Sequence, residues 1–301
     1  MVVLNNTKKP KVCIGMPTYN GEKYIKKAID SVLSQTFTDF ELIISDNVSE
    51  DSTSMICKEY EKKDQRIKYI KHEINRGPSF NFQFVLSESK SEYFVWLADD
   101  DYWEPTFLEK NVIVLESNNN VVGSISLVKY IIDNECEFQK NTTQRLKKFL
   151  RGKIVNIDKY EHVHPAFGDY EKKATLYLRF NQGSFIYGVF RTEILKKRLV
   201  VPGSVESWDL VIILNILKDG DLNVIDEILM YRDSSGVRSA IREKSNKKIL
   251  QEIRTLFLFR SSLWGWCIKN IGFKFFIKNI DWFILLTIYE CRSILLKILH
   301  R

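Results

Sequence analysis

The sequence predicts an α/β fold: a mostly parallel sheet flanked by helices, followed by a C-terminal amphipathic helical segment. Three observations predict it. Strand-like and helix-like segments alternate from Lys11 to about Val128. A polar cluster closes each of the first four strand-like runs. Past Leu250, clusters of aromatic and aliphatic residues are broken by Lys and Arg at short intervals. Alternation of the first kind belongs to parallel strands joined by crossover helices.

The elements follow in order. "KVCIGMP" is a short apolar run closed by Pro17, and "KYIKKAIDSVLSQ" sets Tyr24, Ile25, Ala28, Ile29, Val32 and Leu33 on one helical face. "FELIISDN" is apolar and β-branched. In "SEDSTSMICKEYEKKD", Ser49, Asp51 or Ser52 is placed to cap a helix. "IKYIKH" reads as a strand, "SFNFQFVLSES" as a helix and "YFVWLA" as a strand. Pro105 suits the first turn of a helix carrying Phe107, Leu108, Val112 and Leu115. "VVGSISLV" supplies another strand.

The rest is less regular. Residues 129–180 are polar and basic, and "NQGSFIYGVFRTEIL" reads as a strand-like piece and a helix start. "ESWDLVIILNILKDG" gives a helix with Leu210, Ile213, Leu214 and Leu217 on one face, ended by Gly220. "LNVIDEILMYR" reads as one or two short strands. Between Leu250 and Arg301, eight bases face only Glu252, Asp281 and Glu290. That composition fits helices lying in a membrane interface; the other reading is a helical cap on the main domain.

Composition narrows the class. The chain has 301 residues, 45% hydrophobic and 13% aromatic, which is globular rather than disordered. Residues 1–122 hold 15 Lys+Arg against 19 Asp+Glu, and residues 123–301 hold 30 against 19, so the basic character lies in the second part. No zinc-finger or RNA-recognition spacing accompanies it, and no nucleic-acid partner is expected. An anionic membrane surface is the expected basic-face partner. "MVVLNNTKKPKVCIG" lacks the apolar stretch of a secretory signal, and no apolar run approaches the length of a span. The expected location is cytoplasmic, peripherally associated with the inner face of the cell membrane. Five scattered cysteines read as reduced thiols. His162 and His164 lack a third ligand nearby and read as a loop beside Pro165.

Ligands of parallel sheets bind beyond the carboxyl ends of the strands. "PTYNG", "SDNVSED", "NRGPS" and "DDD" fall there, after four successive strands. Asp99, Asp100 and Asp101 repel one another unless a cation or water intervenes. One reading is a solvated turn, with Asp99 or Asp101 capping the next helix. The other is a hard-oxygen site for Mn²⁺ or Mg²⁺ shared with substrate phosphates. The sequence holds neither a G-x-x-x-x-G-K-[ST] loop nor a G-x-G-x-x-G fingerprint.

"VCIGMPTYNGEKYIKKAIDSVLSQTFTDFELIISDNVSEDS", with "SEYFVWLADDDYWEP" about fifty residues on, resembles the inverting family 2 glycosyltransferases of the GT-A fold. The likeness runs from Lys11 to about Val128, and more weakly to Arg232. It implies a Rossmann-like nucleotide-binding sheet. It also implies that Pro17, Thr18 and Tyr19 contact the base and ribose of a nucleoside diphosphate sugar. "SDNVSED" stands where many members read D-D-G-S-T-D, so Asp46 matches the first Asp and Asn47 replaces the second. An amide oxygen can still accept from a base N–H, which keeps UDP and dTDP sugars as the expected donors. Aligned on Pro105, Ala98 takes the first position of the family's D-x-D-D. Asp100 takes the metal-binding position, with Asp99 toward the ribose or a metal water and Asp101 supporting the loop, the sugar or the metal.

The resemblance also implies a catalytic base at the start of a helix on the acceptor side. Spacing from Gly220 lands on Asp209, and alignment on Trp208 instead lands on Ser207, with the candidate Glu206 beside it. Arg232 and Arg238 are candidate phosphate clamps. The implied organisation is a nucleotide-sugar-binding half (1–128), an acceptor-binding half of the same catalytic domain (129–248) and a membrane-association segment (249–301). The implied reaction transfers a sugar to a glycan or lipid-linked acceptor in cell-surface polysaccharide biosynthesis. A metal-dependent nucleotidyltransferase and a catalytically silent membrane-bound scaffold are the alternatives.

Overall fold

The computed structural model describes residues 9–131, 160–161, 163–180, 183–199, 208–233 and 263–284. Its first half is the expected alternation. Strands β1 (Val12–Thr18), β2 (Phe40–Asp46), β3 (Ile67–Lys71) and β4 (Tyr93–Trp96) are separated by helices α1 (Ile25–Leu33), α2 (Thr53–Lys63) and α3 (Pro78–Glu88). β1 pairs in parallel with β2 and β4, and β2 with β3, in register Thr18↔Asp46 and Gly15↔Trp96. β1 and β4 are buried along their whole length, which is why they read as continuous apolar runs rather than alternating ones. Phe94 and Trp96 meet edge to face at 4.9 Å.

The second half completes the sheet. It comprises β5 (Tyr102–Trp103), α4 (Phe107–Ser117), β6 (Val121–Ile131), β7 (Tyr160–Glu161) and α5 (Tyr170–Phe180). A 3₁₀ turn (Gly183–Tyr187) precedes β8 (Val189–Arg191), α6 (Thr192–Arg198), α7 (Trp208–Ile216), β9 (Asp221–Asp233) and α8 (Phe273–Lys278). The strand order is β3-β2-β1-β4-β8-β6-β9-β5, with β7 on β6. β8 runs antiparallel to both β4 and β6, while β6 and β9 pair in parallel. The four polar clusters therefore share one edge with the C-terminal ends of β6 and β9. One sheet crosses position 128.

Several local expectations change. Pro105 precedes the N-cap Thr106 rather than sitting in the first turn of α4, and its carbonyl accepts the Thr36 N–H at 2.9 Å. Neither Asp99 nor Asp101 caps that helix. Ser52 occupies the N-cap of α2 without a side-chain cap bond, and Asp51 accepts from the Thr53 N–H at 3.0 Å. In α7, Leu210 to Leu214, Ile216 and Leu217 are all buried, so the helix is apolar all round instead of on one face. "LNVIDEILMYR" forms one strand, β9, with register shifts along β6. Cys13, Cys57 and Cys267 are free and buried.

Candidate functional site

The loops leaving β1 and β2 are laced together. Asn20 donates its N–H to Ser49 Oγ at 2.9 Å and accepts from the Glu50 N–H at 2.9 Å, while the Gly21 N–H reaches Thr53 Oγ1 at 2.8 Å. Asp46 is fully buried. Its oxygens accept from the Ser49 N–H (2.7 Å), Ser54 Oγ (2.9 Å) and the Tyr69 hydroxyl (2.6 Å). Burial alone would raise this carboxyl; the bonds from Ser49, Tyr69 and Ser54 outweigh it and hold Asp46 below its ordinary value. Asn47 is 3% exposed and joins the loop after β3, accepting from the Arg76 N–H at 3.1 Å and donating to Asn75 Oδ1 at 2.7 Å. Both residues thus organise the loop they were expected to open toward a nucleotide. Pro17 lies within the sheet opposite Ser45, and Tyr19 is 49% exposed at the edge.

Thr18 links the two ends of the site. Its hydroxyl donates to Asp99 Oδ2, and its backbone carbonyl accepts from Asn81 Nδ2 at 3.3 Å. A Cβ on Gly21 would lie 2.5 Å from Asp99 Oδ2 and 2.8 Å from Thr18 Oγ1, so this bond requires glycine there. Asn81 also binds Ser45 through both the hydroxyl and the carbonyl, tying α3 under the β1–β2 edge. The signal for Asn81 in the sequence is an amide set among the aromatic residues of "SFNFQFVL".

The three aspartates divide their work. Burial, with the neighbouring Asp100 charge, pushes Asp99 up to about 7 against the pull of the Thr18 hydroxyl. Asp101 is 1% exposed, and its carboxylate accepts from Arg232 Nε at 3.2 Å and the Asp233 N–H at 3.1 Å. Burial pushes it up to about 7, opposed by Arg232. Asp100 is half-buried, and its carboxylate takes no side-chain hydrogen bond among the described residues. Burial raises its pKa, Arg232 lowers it, and the charge of Asp233 raises it again.

Arg232 sits at the centre. It donates to Ser184 Oγ at 2.8 Å and lies 4.4 Å from the Tyr187 ring centroid and 5.8 Å from that of Tyr130. Burial raises the Tyr187 phenol, Arg232 opposes, and Asp101, Asp100 and Asp209 add to the rise. Asp209, in the first turn of α7, is raised by burial and lowered by the Arg232 charge. The fold therefore brings Asp100, Asp101 and Asp209 around one arginine, with Asp99 beside Asp100 and bonded to Thr18. Glu206 and Arg238 lie outside the described residues, as do His162 and residues 249–262 and 285–301.

A metal fits this donor set in one way. Among the described residues no group of three or more His, Cys, Asp or Glu side chains could hold an ion by itself. Mg²⁺-like ions are commonly held by one or two carboxylates, with water and phosphate oxygens completing the shell. Asp100, raised by burial and a second carboxylate, is a site where a dication would relieve both effects. Asp101 already has both oxygens engaged.

Comparison with known proteins agrees with the sheet and its edge. An uncharacterized glycosyltransferase of Methanocaldococcus jannaschii is 34% identical over 160 residues, 52% of this chain and 55% of that protein. The putative teichuronic acid biosynthesis glycosyltransferase TuaG of Bacillus subtilis is 36% identical over 104 residues, 35% of this chain and 41% of that protein. The match thus spans about half the length of these relatives, or less. Residues 1–349 of S. aureus TarS superpose with a TM-score of 0.58 at 18% identity, covering 91% of this chain and 80% of that one. The likeness is one of fold, the GT-A type. Among the described residues no helix is long and apolar enough to cross a membrane. The model of Glycosyl transferase family 2 matches residues 13–174, more than half of the sequence and the whole β1–β4 edge that carries the aspartates, and the chain belongs to that family.

Proposed function

We propose that the chain transfers a sugar, with inversion, from a UDP or dTDP sugar to a hydroxyl of a glycan or lipid-linked acceptor in cell-surface polysaccharide biosynthesis. The observation that carries this reading is the arrangement of carboxylates about Arg232. Thr18 and Asp99 line the β1 side, Asp100 is the half-buried carboxylate without a side-chain donor, and Asp209 approaches from α7. Two relatives support the substrate class: TuaG is named for teichuronic acid biosynthesis, and TarS has been crystallised with UDP-GlcNAc.

In this reading Thr18, Tyr19 and Asp99 meet the nucleoside, and Asn47 offers its remaining amide groups to the base. Asp100 would hold Mn²⁺ or Mg²⁺, which when bound would supply Lewis-acid neutralisation of the diphosphate charge. Asp209, whose carboxyl burial raises above its ordinary value, takes the proton from the acceptor hydroxyl. The acceptor oxygen bonds to the anomeric carbon as the bond from that carbon to the diphosphate oxygen breaks. One displacement inverts the configuration. Arg232 holds Asp101 and the acidic loop rather than free phosphate. The enzyme works peripherally at the inner face of the cell membrane, with residues 1–128 binding donor, 129–248 binding acceptor and 249–301 associating with lipid.

The test is incubation of the full chain with a panel of UDP and dTDP sugars, with and without Mn²⁺. Metal-dependent release of nucleoside diphosphate is expected for one donor; no release from any donor overturns the assignment.

A further inference from the structure

Five of the ten exposed large apolar side chains among the described residues lie between 268 and 284. They are Ile268 (37% exposed), Phe273 (64%), Ile277 (46%), Ile280 (38%) and Ile284 (46%). The last four stand at i, i+4, i+7 and i+11. The chain is helical from Phe273 to Lys278 and again from 280 to 284, with a turn at Asn279. At about 100° per residue they fall within roughly 60° of arc. The inward face is separate: Phe275, Phe276, Asn279 and Phe283 are buried, and Phe276, Phe283 and Trp264 form an aromatic cluster with centroids 5.0 to 6.0 Å apart.

This helical pair therefore has two apolar faces, one satisfied by the domain and one open to solvent. Lys274 and Lys278 border the open stripe, about 100° around the helix from it. Lys269 lies next to Ile268. Beyond its buried aromatics, the pair meets the rest of the domain where Asp281 bridges Arg179 of α5 at 3.3 Å and where Lys218, just past α7, lies 5.6 Å from the Trp266 ring centroid. An exposed stripe of aliphatic and aromatic side chains beside lysines matches an anionic bilayer surface: the apolar side chains enter the acyl boundary while the ammonium groups stay at headgroup depth.

We infer that Phe273, Ile277, Ile280 and Ile284 form the face by which the folded domain inserts into an anionic lipid surface, with Lys269, Lys274 and Lys278 as its electrostatic contacts. This rests on the reading of the enzyme as a peripheral membrane protein and fixes the orientation in which it docks.

Flotation of the full chain with phosphatidylcholine vesicles, with and without phosphatidylglycerol, tests it. The wild type floats with the anionic vesicles and little with the neutral ones. Phe273→Glu with Ile277→Glu lowers the bound fraction at least about tenfold, and Ile280→Gln with Ile284→Gln acts in the same direction. All these positions are exposed, so unchanged thermal melting and nucleoside diphosphate release are expected of both variants. Binding equal to wild type in both variants overturns the face. Equal flotation with neutral vesicles overturns the electrostatic contacts. A stripe that instead covers a second copy of the chain would show as a wild-type dimer in sedimentation that the variants dissociate, and that outcome also overturns the inference. Absence of donor turnover in wild-type protein that floats as expected counts against the transferase reading alone.

Discussion

Arg232 at the end of β9 donates to the buried carboxylate of Asp101, 3.2 Å away, across 131 residues of sequence. The pair clamps the acidic loop to the far side of the sheet. Removing the guanidinium leaves Asp101 buried with, among the described residues, the Asp233 N–H as its remaining donor, and breaking such a pair costs about 3–5 kcal/mol. Arg232→Ala is expected to lower the urea midpoint accordingly and to weaken metal-dependent nucleotide binding. Arg232→Lys should recover part of the stability and less of the binding, because an ammonium cannot reproduce the planar donor set facing Asp101 and Ser184. Urea titration and calorimetric binding of UDP with Mn²⁺ read the two effects.

Gly21 leaves space for the Thr18–Asp99 bond, since a Cβ there would stand 2.5 Å from the carboxylate oxygen. Gly21→Ala should separate Thr18 from Asp99 and reduce UDP affinity by about tenfold or more, the loss expected when a buried polar pair is left unmatched. Titration calorimetry measures it, and retained affinity would show that the bond is not used by the nucleotide.

Val48 adopts φ +70, a conformation that costs a β-branched residue on the order of 1–3 kcal/mol. The family pattern places glycine there. Val48→Gly relieves the strain but loosens the unfolded chain, so a net gain of about 1 kcal/mol in unfolding free energy is expected. Val48→Ala should gain less, and an unchanged urea midpoint in Val48→Gly would count against stored strain.

Two carboxyls give opposite pH dependences. Asp99 is raised to about 7 in the folded protein, against an ordinary value of 3.8. Between those limits the folded state holds a proton that the unfolded state has lost, so stability falls as pH rises from about 4 to about 7. Asp46 is lowered, and its contribution is present above its unfolded value of 3.8 and lost as pH falls below it. Asp101, also raised to about 7, acts in the same direction as Asp99, so thermal melting from pH 4 to 8 should decline and Asp99→Asn should remove part of that decline while leaving the loss of stability below pH 4 in place.

Asp209 is expected to carry the proton transfer. Asp209→Asn should reduce transfer by about 10²–10⁴-fold while UDP binding stays within a factor of about two, since the side chain acts on the acceptor. The wild-type rate should rise with pH through a value above the ordinary carboxyl range, because burial raises this group. Near-normal transfer by the variant would move the base to Glu206.

Much of the first half of the chain was legible before folding. Apolar runs, helical faces and polar strand ends from Lys11 to Trp96 depend on neighbours a few residues apart, and each became the element its pattern implied. The aspartate run pointed to the site for the same reason. The second half was harder to read because its signals are not local. β8 is a three-residue antiparallel strand wedged between β4 and β6, and β5 has two residues; neither length produces periodicity. α7 is buried beyond its predicted apolar face because α5, α6 and the 3₁₀ turn pack against it.

The sequence by itself determined which residues stand at the edge of the parallel sheet, since strand ends are fixed by where apolar alternation stops. Tertiary structure alone decided which of the carboxylates are free to act. Asp46 and Asp101 are consumed by Tyr69, Ser54 and Arg232, whereas Asp100 and Asp209 remain half-buried near the same guanidinium. The difference is physical: the type of a side chain is local, but its hydrogen-bond partners and its burial are set by segments brought together from distant parts of the chain.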